Sequence, residues 1–118
     1  MSEVLKAAWL SLLDRFPVEY EVFLDFANSC EVNPVYVNGQ VAGALIVKGS
    51  EIHACILPEF KGKWLTRKEL RILDSVIDKH GFAQTSATTK DGEYFVSRLG
   101  FVKDGEIYRR YEKWASKQ

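Results

Sequence analysis

Hydrophobic residues recur every three or four positions through the first thirty residues of the chain, which is the spacing of one face of an α-helix. The pattern predicts two amphipathic helices, over residues 4–16 and 18–29. Pro17 separates them, because proline either ends one helix or occupies the first turn of the next.

Short apolar runs separated by turn residues come next, and they predict three strands. The runs cover residues 35–37, 41–47 and 51–57. Asn38-Gly39, a strong two-residue hairpin signal, joins the first two strands, and a turn at 48–50 joins the second to the third. Strands connected by such short turns run antiparallel, so we expect a three-stranded meander.

A third helix has the best-defined start in the sequence. Thr66 and Glu69 form a T-x-x-E capping box, Leu65 and Leu70 are spaced to make a hydrophobic staple across it, and Gly81 provides a C-terminal stop. Beyond this helix the pattern predicts a strand, a short helix and a hairpin that turns at Asp104-Gly105. These three elements are expected over residues 82–89, 91–99 and 101–114.

This order of elements predicts an α/β (α+β) fold with a mixed sheet of about six strands, flanked by four helices. The strand–helix–strand passage in the middle implies one parallel pairing through a right-handed crossover. The remaining strands form the antiparallel meander and the final hairpin. A length of 118 residues suits one domain and is too short for two, so we expect a single domain over residues 1–118.

Charge and cysteine content narrow the classes of partner. Sixteen basic residues balance sixteen acidic ones, so no overall field favours nucleic acid or an anionic membrane. No apolar stretch has the length of a bilayer span, and we expect neither a signal peptide nor a membrane partner. Cys30 and Cys55 lack metal-ligand spacing with the two histidines, which predicts free thiols, a cytoplasmic location and no metal site.

Two motifs add a resemblance to this outline. Residues 57–63 read Leu-Pro-Glu-Phe-Lys-Gly-Lys, and residues 95–101 read Phe-Val-Ser-Arg-Leu-Gly-Phe. In this order, they are similar to the strand exit and the later L-G-F element of the GNAT superfamily of N-acetyltransferases. The resemblance covers about residues 33–114, with the usual first strand missing or reduced, and the short form resembles GNAT-like proteins encoded by tailed phages. It implies a GNAT-like sheet, acetyl-CoA as co-substrate and an amine as acceptor.

In the GNAT family the CoA diphosphate binds backbone N–H groups at a glycine-rich turn before a helix, where unsatisfied amides and the helix dipole favour an anion. The resemblance implies that this cradle lies at six consecutive residues: Lys61, Gly62, Lys63, Trp64, Leu65 and Thr66. Trp64 and Thr66 stand where the family has glycine or alanine, so the cradle departs from the family pattern.

Acetyl transfer to an amine uses a base to deprotonate the amine and an acid to protonate the leaving thiolate. His53 and Glu51 share one face of the third strand by period-two alternation and are the candidate bases. The family's tyrosine acid is replaced by Val96, which leaves Tyr94 as the candidate acid. The structural alternative is a His53 that lies at the surface near the hairpin turn or is half-buried and hydrogen-bonded, and a Tyr94 that belongs to the core or the surface.

Three functions therefore stay open. The first is an N-acetyltransferase acting on an amine of a small molecule or a protein. The second is a catalytically inactive GNAT-fold protein that acts by protein–protein contact, as a phage-encoded factor directed at a host protein or as a virion component. The third is a protein that binds a small molecule in the cleft between splayed strands that the resemblance implies. All three are compatible with a homo-oligomer. Basic and aromatic residues interleave over 108–114, but strand alternation explains that pattern and we do not expect nucleic-acid binding.

Overall fold

The structure is a computed structural model, and it describes residues 2–13, 15–87 and 89–113. Within these ranges it has four α-helices, six strands and one 3₁₀ turn. In chain order they are α1 (Ser2–Leu12), α2 (Tyr20–Asn28), β1 (Glu31–Val37), β2 (Gln40–Lys48), β3 (Glu51–Ile56), the 3₁₀ turn (Pro58–Phe60), α3 (Arg67–His80), β4 (Ala83–Thr85), α4 (Lys90–Arg98), β5 (Val102–Asp104) and β6 (Ile107–Arg110).

The six strands of the described residues form one mixed sheet in the order β1-β2-β3-β4-β6-β5. β1 pairs antiparallel with β2, and β6 pairs antiparallel with both β4 and β5. β3 and β4, which α3 connects, run parallel and pair at Glu51 and Gln84. The predicted class is therefore confirmed: a mixed α+β sheet of six strands with four helices and one parallel crossover.

β1 and β4 differ most in length from the sequence prediction. β1 begins at Glu31 rather than at residue 35, and it contains Pro34. An edge strand tolerates proline because one side of its backbone needs no ladder partner, and β1 lies at the edge of the sheet. β4 ends at Thr85, because Thr89 serves the next helix: its Oγ1 accepts a hydrogen bond of 3.0 Å from the Gly92 N–H. The predicted hairpin ends on Trp114, which lies outside the described residues.

Two compact units divide the chain. The first takes its residues from 1–48 and 53–66, and its core joins helices α1 and α2 to strands β2 and β3. Three of the seven buried residues in this core are alanines, so the helix backbones approach the strands closely. The seven are Val4, Ala8, Phe23, Ala27, Ala44, Ile46 and Cys55.

Within this unit, Gly43 of β2 lies against the backbone of β3. Its φ of 145° is a conformation that only glycine adopts readily, and a Cβ at this position would overlap the carbonyl oxygen of Cys55. The register of β1 on β2 shifts beside it, between Val35 and Tyr36, so that Ala42 forms a bulge. The Ala42 carbonyl accepts a hydrogen bond of 2.9 Å from the Leu57 N–H. β2 therefore holds the chain as it leaves β3.

The second unit takes its residues from 49–52 and 67–118. α3 begins at Arg67, directly after Thr66, and ends before Gly81, as the capping box and the glycine stop predict. The glycine of the L-G-F motif has a packing role here, because a Cβ on Gly100 would overlap the guanidinium of the buried Arg110. Burial lowers the pKa of that guanidinium, and the Glu112 and Asp74 carboxylates offset part of the effect.

Replacing Gly43 by alanine tests the close approach of β2 to β3. We expect Gly43→Ala to lower the free energy of unfolding by roughly 3 kcal/mol, from the backbone conformation and the overlap together. Gly39→Ala is the matched control, since Gly39 has a φ of 81° but no atom within 4 Å of the added Cβ. It should cost about 1 kcal/mol, from the backbone alone. Urea denaturation of both variants measures the difference, and equal losses would show that the contact with Cys55 is not tight.

Candidate functional site

The segment that follows β3 is held in a defined shape by its own backbone. After the 3₁₀ turn, the Lys63 N–H donates to the Phe60 carbonyl at 3.1 Å. Between them, Lys61 has φ −58° and ψ 135°, and Gly62 has φ 78°. These values define a type II turn, which needs glycine or asparagine at its third position. The turn explains why Gly62 follows Lys61.

The structure divides the six predicted cradle residues among different environments. Lys61, Gly62 and Lys63 are exposed at the turn, whereas Trp64 is only 5 % exposed. Leu65 is half-buried and Thr66 is exposed. The indole of Trp64 is therefore directed into the protein, and the exposed surface of the turn consists of two lysines and a glycine.

The turn has the features of a site for an anion. No atom lies within 4 Å of the position that a Cβ would occupy on Gly62, so a ligand has room to approach the backbone. Among the described residues, no hydrogen-bond acceptor pairs with the Gly62 N–H. The ammonium of Lys61 has no ion-pair partner in the same ranges. A diphosphate fits this arrangement in charge and access, through one amide and the lysine side chain rather than a row of amides.

A cleft of about 420 Å³ opens beside the turn, in the first unit. It is bounded by the β1–β2 hairpin and by the segment after β3. Half of its lining residues are apolar and half are polar. The apolar ones are Val37, Val41, Leu57 and Phe60, and the polar ones are Asn38, Gln40, Glu59 and Lys63. Lys63 is thus the residue that connects the predicted cradle with the cleft.

Neither candidate base lines this cleft. His53 belongs to the first unit and is half-buried, with its ring edge-on to Phe26 at 5.7 Å between centroids. The Lys48 ammonium lies 5.9 Å from the centre of the Phe26 ring. Glu51 belongs to the second unit, where it is exposed at the start of β3. The roles of His53 and Glu51 as bases stay predictions. The His53 ring is packed against an aromatic neighbour.

Cys55 lies on the same strand and is 2 % exposed. Burial raises the pKa of its thiol from 9.0 to about 12, and the Arg15 charge offsets part of this effect. The thiolate is the nucleophilic form of cysteine, so this residue is inert near neutral pH. Cys55 therefore packs in the core and is not a candidate nucleophile.

The candidate acid, Tyr94, lies on α4 in the second unit and is 64 % exposed. Its hydroxyl accepts a hydrogen bond of 3.2 Å from Arg98, whose guanidinium also lies 5.6 Å from the ring centre. Val96, at the position where the sequence resemblance implies a tyrosine acid, is buried. Tyr94 as the acid stays a prediction.

The basic and aromatic residues near the C-terminal end are engaged within the second unit. Arg109 pairs with Asp104 at 2.6 Å, and Lys113 pairs with Asp78 at 2.7 Å, which raises the pKa of the Lys113 ammonium. Tyr108 and Arg110 are buried. The alternation of inward and outward side chains predicted for this strand accounts for these positions.

The sequence prediction missed Asn38, Gln40 and Glu59 as site residues. The sequence does carry a signal for them. In an antiparallel meander, the turn between the first two strands and the end of the third strand lie at the same end of the sheet. Asn38-Gly39 marks that turn and Pro58 marks that end. Polar residues at these two points are therefore expected to meet.

No protein-family model, curated protein or solved structure matches this chain significantly. Among the described residues, no helix combines the length and apolar character that crossing a bilayer requires. In the same ranges, no three His, Cys, Asp or Glu side chains are grouped closely enough to hold a metal ion.

The raised pKa of Cys55 predicts a loss of stability in alkali. The folded state keeps the thiol proton up to about pH 12, whereas the unfolded chain releases it above pH 9.0. The contribution of the Cys55 thiol to the free energy of unfolding is therefore fully present below pH 9.0 and is lost as the pH rises towards 12. At pH 10 the loss should be about 1.4 kcal/mol relative to pH 7. Urea denaturation of the protein and of Cys55→Ala, which keeps every other titrating group, measures it. An identical pH dependence in both would show that Cys55 ionises freely in the folded protein.

Proposed function

We propose that this chain is a GNAT-like protein that binds acetyl-CoA through the turn after β3 and transfers the acetyl group to an amine. The observation that carries the proposal is the exposed Lys61-Gly62 step of the type II turn, with its open approach to the backbone. The meander, the single parallel crossover and the final hairpin agree with the sheet that the sequence resemblance implies. The motifs at 57–63 and 95–101 add support from the sequence.

In this proposal, the Lys61 ammonium and the Gly62 N–H bind the CoA diphosphate. The lysine contributes a charge-assisted hydrogen bond and the amide contributes a directional one. Glycine at this position leaves the diphosphate in contact with the backbone. Trp64 is buried directly after the turn and holds it in place, so the turn keeps its shape before the ligand arrives.

Acetyl-CoA titration by calorimetry tests the binding step. We expect Lys61→Met to weaken acetyl-CoA binding about 5-fold, because an exposed charge contact with phosphate contributes about 1 kcal/mol. Lys103→Met is the matched control: it removes the same charge from an exposed lysine of β5. The affinity of the unmodified protein should also fall as salt is raised, because exposed charge pairs are screened. Absence of binding at millimolar acetyl-CoA, or equal effects of the two substitutions, would contradict the proposal.

The second candidate is a GNAT-like protein that has lost catalysis and acts by contact with another protein. The observation that favours it is the environment of the predicted acid and base: Tyr94 is paired with Arg98 at the surface, and His53 is packed on Phe26. Mass spectrometry of an amine panel incubated with acetyl-CoA separates the candidates. Acetylated product supports the first, whereas acetyl-CoA binding without any product supports the second.

A further inference from the structure

The cleft beside the turn has a chemical character of its own. Two of its polar residues, Glu59 and Lys63, carry opposite charges and come from one short segment after β3. The other two, Asn38 and Gln40, are neutral amides from the β1–β2 hairpin. The Glu59 carboxylate can accept hydrogen bonds from a cation, and the Lys63 ammonium can donate hydrogen bonds to an anion. The two amides can both donate and accept hydrogen bonds.

These polar groups are available to a ligand. All four side chains are exposed. Among the described residues, neither Glu59 nor Lys63 belongs to an ion pair, and neither Asn38 nor Gln40 makes a side-chain hydrogen bond. A ligand bound here therefore does not have to break an existing contact of these groups.

Opposite charges in one cleft select by repulsion as well as by attraction. A ligand with only positive groups is repelled by Lys63, and one with only negative groups is repelled by Glu59. A molecule with one ammonium and one carboxylate satisfies both. The four apolar residues of the lining add contact area for an apolar body, and a volume of about 420 Å³ lies in the range of small-molecule sites.

We infer that this cleft binds a small zwitterion, an amino acid with an apolar side chain, with its ammonium at Glu59 and its carboxylate at Lys63. This assignment moves Lys63 from the predicted diphosphate cradle to the cleft. As the identity of the acetyl acceptor, the inference rests on the proposed function. In that transfer the amine nitrogen bonds to the acetyl carbon and the carbon–sulfur bond breaks. Of the three ammonium protons, one leaves through Glu59 to solvent, one goes to the CoA sulfur and one stays on the amide nitrogen.

Calorimetric or NMR titration with L-leucine, in the absence of CoA, tests the binding directly. Because the charged groups are exposed, we expect a dissociation constant on the order of 1 mM. Leucinamide lacks the carboxylate and 4-methylpentanoate lacks the ammonium, and each should bind at least about 5-fold more weakly, the equivalent of one lost charge contact. Glycine should also bind more weakly, since it lacks the apolar body. Equal binding of leucine, the amide and the acid would overturn the inference.

Two substitutions assign the contacts. Glu59→Gln should weaken leucine binding without altering the preference for its carboxylate, and Lys63→Met should abolish the preference for leucine over leucinamide. Glu106→Gln and Lys103→Met are the matched controls; both are exposed residues that do not line the cleft, and they should leave leucine binding unchanged. Unaltered leucine binding in Glu59→Gln and Lys63→Met would contradict the assignment.

The two proposals fail in distinguishable ways. Lys61→Met should weaken acetyl-CoA binding and leave leucine binding unchanged, because Lys61 does not line the cleft. A protein that binds acetyl-CoA but not leucine overturns the cleft assignment and supports the proposed function. A protein that binds leucine but not acetyl-CoA supports the zwitterion site and overturns leucine's role as acetyl acceptor.

Discussion

The close approach of β2 to β3 is the constraint on which the candidate site depends. Gly43 has no side chain at the point where its backbone meets the Cys55 carbonyl, and the adjacent bulge directs the Ala42 carbonyl to the Leu57 N–H. That hydrogen bond lies one residue before Pro58, so it fixes where the chain leaves the sheet. The turn and the cleft both begin from this point. A structural glycine in the middle of a strand thus positions the loop of the candidate site.

The loop itself combines a rigid backbone with exposed charge. The type II turn places Gly62 where only a residue with positive φ is comfortable, and Trp64 anchors the chain directly afterwards. Lys61 and Lys63, which flank Gly62, stay at the surface. Preorganisation of this kind lowers the entropy lost on binding, which matters for a site whose individual contacts are weak and screened. The fold therefore contributes to the candidate site mainly by fixing the positions of its groups, and less by the strength of any single contact.

The sequence predicted most of the elements, because their signals are local. Asn38-Gly39 marks a hairpin by itself, and Thr66 with Glu69 marks the start of α3. The start of β1 was missed because proline argues against a strand unless the strand lies at a sheet edge, which a local pattern does not reveal. The end of β4 was missed because Thr89 suits a strand and a helix cap equally well, and tertiary context decides.

The candidate site was less predictable, since it depends on contacts between distant parts of the chain. Period-two alternation places Glu51, His53 and Cys55 on one face of β3. Only the fold shows that Cys55 is buried in the core and that His53 packs against Phe26. Likewise, the motif shows Trp64 only as a departure from the family pattern, whereas the fold buries its side chain directly after the turn. The direction of a side chain, not its identity, decides each of these cases.

The central claim is that the turn after β3 meets the diphosphate of CoA, and amide chemical shifts of ¹⁵N-labelled protein titrated with acetyl-CoA test it most directly. We expect the largest shift changes on the amides of residues 60–63, with the Gly62 amide changing most. Saturable changes centred on other residues, with the Gly62 amide unmoved, would contradict it.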